Sequence, residues 1–483
     1  MKEPKVDLKV SIDPMTRLEG HGKIEIFLDE KGNVKEAYMQ TPELRGFEVF
    51  CRGRRAEDMP IITSRICGVC PEAHLTASAK ALDMAFGAEP PQTARMIREL
   101  LYNAYIFYDH CLNLYYLGGI DLLLGDVERK ERNIIGLINK FGIEIGKEII
   151  KHRRYAMEIV KTIGGREIHP VSVVPGGVSK RIQEEERKEI EKKAESCITF
   201  ARRSLEIFKK LFSTEEWNQR LGLDSMNTYY MGMVDSANHV NFYDGDVRIV
   251  SPSGDEFARI KPEKILDHIE EHVEGWSYVK FPYLKGVGWR GLVDGENSGI
   301  YRVGSLARLN SADGMNTSLA MKEFQEFKKK GLVNQTFGYY HARLIEMLNA
   351  AERVHERARD DQLTGKDIRS MPSKPGEGVG VVEAARGTLI HHYKLNSEGL
   401  VKDANLIVAT TNNNAAMNIS VANAARRVIE NGTVNDAILN RIESAVRCYD
   451  PCLACASHSL GSMPMVVNVY WKGRLHKRLQ RNA

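Results

Sequence analysis

The sequence predicts a mainly α chain: one large multihelical unit with a small N-terminal β region and peripheral β pieces. Three observations carry this reading. Apolar residues recur at spacings of three and four over long runs, short β-like pieces gather near the N terminus and between residues 213 and 310, and no low-complexity linker divides the chain. At 483 residues, 43% hydrophobic and 27% charged, the chain can bury a large core. Length alone would allow about three domains at roughly 150 residues each, but with no clean break a single unit is favoured.

Taken in order, KIEIFL at Lys23–Leu28 and VKEAYM at Val34–Met39 flank DEKGN, whose Gly32 and Asn33 suit a hairpin turn, so residues 1–50 read as β. From Pro90 the pattern turns helical, with Ile97, Leu100, Leu101, Ala104, Tyr105, Tyr108, Cys111, Leu112 and Tyr115 along one face. A second helical run spans about 132–162 and stops at Gly164 and Gly165, before the Gly- and Pro-rich loop EIHPVSVVPGGV. RIQEEERKEIEKKAES opens a third helix that becomes apolar toward Phe212. Residues 213–310 carry β-like VRIVSP and WSYVKFPYL and no convincing helix; helical periodicity returns over about 315–360, before the Gly-rich PSKPGEGVGVVEAARG.

Sixty-eight Lys and Arg against 64 Asp and Glu give a formal charge of +4, too balanced for a nucleic-acid or membrane surface as the main partner. No stretch approaches the ~18–20 apolar residues of a membrane span, and MKEPKVDLKVSIDP lacks the apolar core of a secretory signal. The chain is expected to be soluble and cytoplasmic. Its 8 cysteines are too few for a disulfide scaffold and read as thiols, buried or metal-binding.

Two Cys-x-x-Cys pairs stand at opposite ends: Cys67 and Cys70 followed by His74, and Cys452 and Cys455 followed by His458. Together they supply a four-sulfur site for a soft ion. Structural zinc is the simplest candidate, yet zinc ribbons bring their pairs together within ~15–20 residues. A dithiol redox pair or unrelated buried cysteines are the alternatives. Arg17, Glu19 and His21, with Arg45 and Glu48, precede the first pair, and Arg386 follows the Gly-rich segment. By composition alone these polar groups read as solvated faces or a turn. GEGVGV lacks the glycine spacing and strand-to-helix setting of a dinucleotide site.

The motifs RLEGH, RGFE, RICGVCPEAH, GEGVGVVEAARGTLIHHY and DPCLACASH, in this order over residues 12–458, closely resemble the large subunit of nickel–iron hydrogenases. The pattern is most like the soluble branch that does not reduce the deazaflavin coenzyme and that feeds heterodisulfide reductase, a setting linked to methanogenesis. The resemblance implies one large-subunit domain over 1–458. Cys67, Cys70, Cys452 and Cys455 would hold nickel, and Cys70 and Cys455 would also bridge to an iron carrying carbon monoxide and cyanide. Dihydrogen would split heterolytically, with Cys452 taking the proton and Glu19 relaying it. Arg386 would lie above the open metal position, His74 would donate near a bridging sulfur, and Ala409 and Thr410 in VATT would lie beside the cyanides. Glu48, His458 and the backbone carbonyl near Leu406 would hold magnesium.

Two departures from many relatives, Ala409 and Ala385 where proline is common, leave these ligands intact. In the family a protease cuts after the last motif's histidine, so Ser459–Ala483 is expected to be a removable extension. The remaining Cys51, Cys111, Cys197 and Cys448 lack ferredoxin spacing, so this chain is expected to hold no iron–sulfur cluster and no flavin. Electrons would leave through a small iron–sulfur subunit toward a flavin-containing heterodisulfide reductase or a formate dehydrogenase. The same fold also serves as a nickel-free core subunit of respiratory NADH:quinone oxidoreductases, but those homologues lack the paired cysteines present here.

Overall fold

The computed structural model describes residues 9–457, 465–471 and 474–481. Four long helices make its centre. Gly338–Ala358 packs on both Glu184–Leu211 and Gln92–Tyr116, and Ile143–Gly164 closes against the latter two. The predicted stripe from Ile97 to Tyr115 is buried, with only Leu112 partly exposed. Opposite faces of that helix are covered too, which places it in the middle of the unit. Glu184–Leu211 begins with a reciprocal cap between Gln183 and Glu186, carries three glutamates in its first turn and ends in Lys209 and Lys210, matching the helix dipole at both ends.

The N-terminal hairpin forms as predicted, with Lys23–Leu28 paired to Val34–Gln40 and Gly32 at φ 79°. Lys9–Ile12 adds a third strand. The run over 132–162 is two helices, Ile134–Phe141 and Ile143–Gly164, because Gly142 at φ 91° interrupts it; Gly165 at φ 80° ends the second. The interval 213–310 holds the expected strands, among them Asp246–Val250 and Phe281–Leu284, but also two helices. Glu215–Leu221 is capped by the Thr214 hydroxyl, which accepts from the Trp217 amide at 3.2 Å. Ser305–Ser311 is buried on every side, so it carries no amphipathic period that a sequence pattern could register.

The Gly-rich segment is a strand. Glu377–Ala384 turns through Ala385 and Arg386 into Gly387–Leu395, which pairs with Val401–Ile407. Gly378 and Gly380 lie on one face of the first strand, directly on helix Pro71–Ala85. A Cβ there would stand 2.1 Å from the carbonyl oxygens of Ala81 and Ala77 respectively. The alternation of glycines thus lets sheet backbone touch helix backbone. Gly380→Ala should lower stability by about 2–3 kcal/mol, the scale of an overpacked core. A thermal-unfolding midpoint unchanged from the parent would refute this account.

His341 lies in the core against the rings of Phe212 and Phe327. Burial, helped by Lys330 and Lys209, pushes it down from 6.5 to about 3. The unfolded chain binds a proton near 6.5 while the folded chain does not until near 3. Its contribution to stability is therefore complete above about 6.5 and declines as pH falls toward 3, by roughly 5 kcal/mol at most. Denaturant titrations should show His341→Leu losing less stability than the parent between pH 6.5 and 4.

Candidate metal centre

Both cysteine pairs sit at helix starts. Cys70 precedes helix Pro71–Ala85, whose first residue is proline, and Cys452 precedes the single turn Leu453–Ala456 that carries Cys455. The four sulfurs lie within 4.8 Å of one another, all buried. Cys67 Sγ is 3.3 Å from Cys452 Sγ, Cys70 Sγ is 3.6 Å from Cys455 Sγ, and Cys452 and Cys455 are 2.7 Å apart. The backbone amides of Val69 and Cys70 donate to Cys67 Sγ at 3.2 and 3.3 Å.

Burial works against ionising any of these thiols. Cys67 is nevertheless held well below its usual range by hydrogen bonds from Cys452, Cys455 and Cys70 and by the charge of Arg386. Cys452 and Cys455 are pushed up, first by burial, then by their hydrogen bonds to Cys67 and Cys70, with repulsion from a neighbouring thiolate adding to these. Such a set becomes four thiolates only around a cation. Its donors are all soft, which fits a late transition metal and not magnesium or calcium. Among the described residues it is the one cluster of Cys, His and acidic groups arranged to hold a metal. The predicted meeting of the two ends therefore occurs.

Glu19 arrives beside Cys452 through backbone pairing. Its amide donates to the Pro451 carbonyl at 3.3 Å and its carbonyl accepts from the Leu453 amide at 2.9 Å. Glu19 Oε2 then accepts from Cys452 Sγ at 2.9 Å and from the Ala454 amide at 3.1 Å. Gly20, at φ 80°, has no room for a side chain, because a Cβ would lie 2.5 Å from the Ala454 nitrogen. Burial, then the charge of Cys67, raises the Glu19 carboxyl above the usual range. Thr410 Oγ1 accepts from the Cys452 amide at 3.0 Å, and Ala409 stands next to it at the start of Ala409–Asn412.

Arg386 occupies the hairpin turn, 2% exposed, and forks onto Asp109 at 2.8 and 3.1 Å with Asp450 at 3.1 Å. Although burial opposes its charge, Asp109 and Asp450, followed by Cys452 and Cys70, hold it protonated. Arg386 is thus a buried ion-paired residue and not the exposed turn that composition alone suggests. Sequence reasoning missed both acids. Asp109 interrupts the buried stripe YIFYDHCLNLYY, and a carboxylate on an apolar helix face was the available signal. Asp450 is two residues before Cys452 and takes a left-handed φ of 56°.

His74 is buried, its Nδ1 3.1 Å from His391 Nε2, and His391 Nδ1 in turn meets the Tyr393 hydroxyl at 2.9 Å. Glu48 Oε1 accepts from the Leu406 amide at 2.7 Å, which brings two of the three predicted magnesium positions together; His458 lies outside the described residues. Arg45 donates to the carbonyls of Ile66 and Ala454, whereas His21 lies toward solvent against Glu43. Arg17 donates to Asp121 at 2.6 Å and to Asn440 at 2.8 Å.

A multihelical chain that closes four cysteines from its two ends around one soft-metal pocket, with a carboxyl on one sulfur and a caged arginine nearby, is a metalloenzyme. A family model described as nickel-dependent hydrogenase matches residues 45–128 and 300–458, and one described as HoxL-like matches residues 9–44. An F420-non-reducing hydrogenase iron-sulfur subunit from Archaeoglobus profundus is 48% identical, over 96% of this chain and 97% of that protein. An F420-non-reducing hydrogenase vhu subunit from Methanocaldococcus jannaschii is 42% identical, over 87% of this chain and 100% of that protein. An NAD+-reducing [NiFe]-hydrogenase solved in its H2-reduced state superposes with a TM-score of 0.89 at 38% identity, covering 93% of this chain and 99% of that one. The chain belongs to the nickel-dependent hydrogenase family, within which it is an oxidoreductase of the nickel–iron type.

No helix among the described residues is long and apolar enough to cross a membrane.

Proposed function

We propose that this chain is the catalytic subunit of a cytoplasmic enzyme that cleaves dihydrogen reversibly and heterolytically. The observation that carries this reading is the hydrogen bond between Cys452 Sγ and Glu19 Oε2 at 2.9 Å, inside a pocket of four soft donors. Cys67, Cys70, Cys452 and Cys455 would hold nickel, with Cys70 and Cys455 shared with an iron that bears carbon monoxide and cyanide. When bound, this group supplies a soft, redox-active site that polarises dihydrogen.

The chain's own residues supply the rest. Cys452 Sγ accepts the proton, and Glu19, its carboxyl raised toward matching that thiol, carries it away. Arg386 offers a fixed positive charge that Asp109 and Asp450 keep from rotating. His74 would tune a bridging sulfur with its orientation set by His391, and Ala409 and Thr410 would line the diatomic ligands. Glu48, the backbone at Leu406 and His458 would bind magnesium, tying the C-terminal segment to the strand Val401–Ile407.

Electrons would pass to a small iron–sulfur subunit, then to a heterodisulfide-reductase-type or formate-dehydrogenase-linked flavoprotein complex; the names of the two F420-non-reducing relatives support an acceptor other than F420. Residues 1–458 would act as one domain, with Ser459–Ala483 removed by a maturation protease. The strands Met465–Trp471 and Arg474–Arg481 of that extension pair with each other. The intact mass of nickel-loaded enzyme should therefore correspond to a chain ending at His458, and an active nickel-loaded enzyme retaining the extension would overturn this.

The deciding experiment is metal analysis and dihydrogen–deuterium exchange on anaerobically purified chain freed of its small iron–sulfur partner. About one nickel and one iron with exchange activity is the expected result. Zinc alone, without exchange, would refute it.

A further inference from the structure

We propose that Arg447 is the positioning residue of the proton relay, holding Thr16 and the end of helix Asp436–Arg447 in a register that sets the Glu19 carboxyl on Cys452. This rests on the relay reading given above. The relay joins two segments far apart in sequence, and each bends sharply just before it: Arg17 and Asp450 both take left-handed backbone at φ 56°. At the relay the segments are joined by the paired amides and carbonyls of Glu19, Pro451 and Leu453 and by Glu19 Oε2, which accepts from Cys452 Sγ and the Ala454 amide. All of these contacts lie on the relay's side of the two bends.

Arg447 joins the same two segments on the other side of both bends. It is 1% exposed, and its Nε donates to the Thr16 carbonyl at 2.8 Å while Nη2 donates to Thr16 Oγ1 at 3.0 Å. Its Nη1 donates to Asp121 and Asn440, each at 3.0 Å, and Glu443 one turn back completes its partners. The same acids grip the N-terminal segment directly. Glu443 Oε1 accepts from the Thr16 amide at 3.0 Å, and Arg17 Nη2 donates to Asp121 at 2.6 Å and Asn440 at 2.8 Å. Thr16 is three residues before Glu19, and Arg447 is five before Cys452. A guanidinium with fixed fork geometry, held by acids on a helix, is a rigid ruler for those two distances, which lysine could not reproduce. A buried ion network of this kind is costly as a source of stability, so a register role accounts for its placement.

The test uses Thr16→Val, which removes the hydroxyl's contacts to Arg447 and Glu443 and keeps the backbone ones, with Thr16→Ser as the rescuing variant and Arg447→Lys as a second probe. In the full-length metal-free chain, the infrared band of the Glu19 carboxyl, assigned by its loss in Glu19→Gln, should shift in Thr16→Val and Arg447→Lys and return in Thr16→Ser. In the loaded enzyme, hydrogen–deuterium exchange should fall roughly tenfold to a hundredfold in Thr16→Val with nickel content unchanged, the cost of misplacing a reacting group by about an ångström. An unshifted band in Thr16→Val, or a shifted band with undiminished exchange where Glu19→Gln does abolish it, overturns the proposal. Undiminished exchange in Glu19→Gln itself instead overturns the relay reading, and the infrared shift then decides the register role alone.

Discussion

Glu19→Gln should retain nickel and iron and lose hydrogen–deuterium exchange by about two to four orders of magnitude, the range that a positioned acid–base group supplies. The glutamine amide fills the same volume and still accepts from the Ala454 amide, so the backbone pairing to Pro451 and Leu453 persists. What disappears is the capacity to take a proton from Cys452 Sγ and pass it on. Because Glu19 is not one of the four sulfur donors, metal content measured in parallel separates this effect from loss of the site. Wild-type exchange in a nickel-replete Glu19→Gln enzyme would move the relay to another group.

Cys452→Ser should reduce nickel retained after exposure to a chelator by more than about tenfold. A supporting group around a metal is already worth 10–100-fold in affinity, and a direct donor is worth at least as much. Serine is the same shape, but its alkoxide is harder and far more basic than a thiolate, so at neutral pH it reaches the metal as a neutral alcohol. The variant also removes the S–H that Glu19 accepts, so exchange should vanish together with nickel. Unchanged nickel retention would mean that the other three sulfurs suffice.

The long helices were legible because each turns one side of a periodic pattern to the core. Ser305–Ser311 was not, since burial all round erases the period, and the break at Gly142 was hidden by apolar residues continuing on both sides. The glycines of GEGVGV were visible, but their purpose depends on helix Pro71–Ala85 lying against them, a contact no local pattern encodes. At the site, the two cysteine pairs announced themselves by spacing, and Glu19, Arg386 and His74 by the motifs around them. Asp109 was missed because it lies outside every motif, and Asp450 because it opens DPCLACASH without being one of its sulfur donors; both hold Arg386 still. Arg447 was equally silent, one arginine among many until the fold set it on Thr16.

The four sulfurs come two from each end of the chain, and that fixes an order of events during synthesis. When Cys67 and Cys70 leave the ribosome, their partners are hundreds of codons away. At ordinary elongation rates of about 5–20 residues per second the wait is on the order of half a minute. For that time the helices between them can collapse, but the pocket has only half its donors and cannot retain a metal that needs all four. Nickel delivery must therefore follow completion of the segment containing Cys452 and Cys455, and a cell starved of nickel should accumulate full-length chains with the helical core formed and this last closure still to be made.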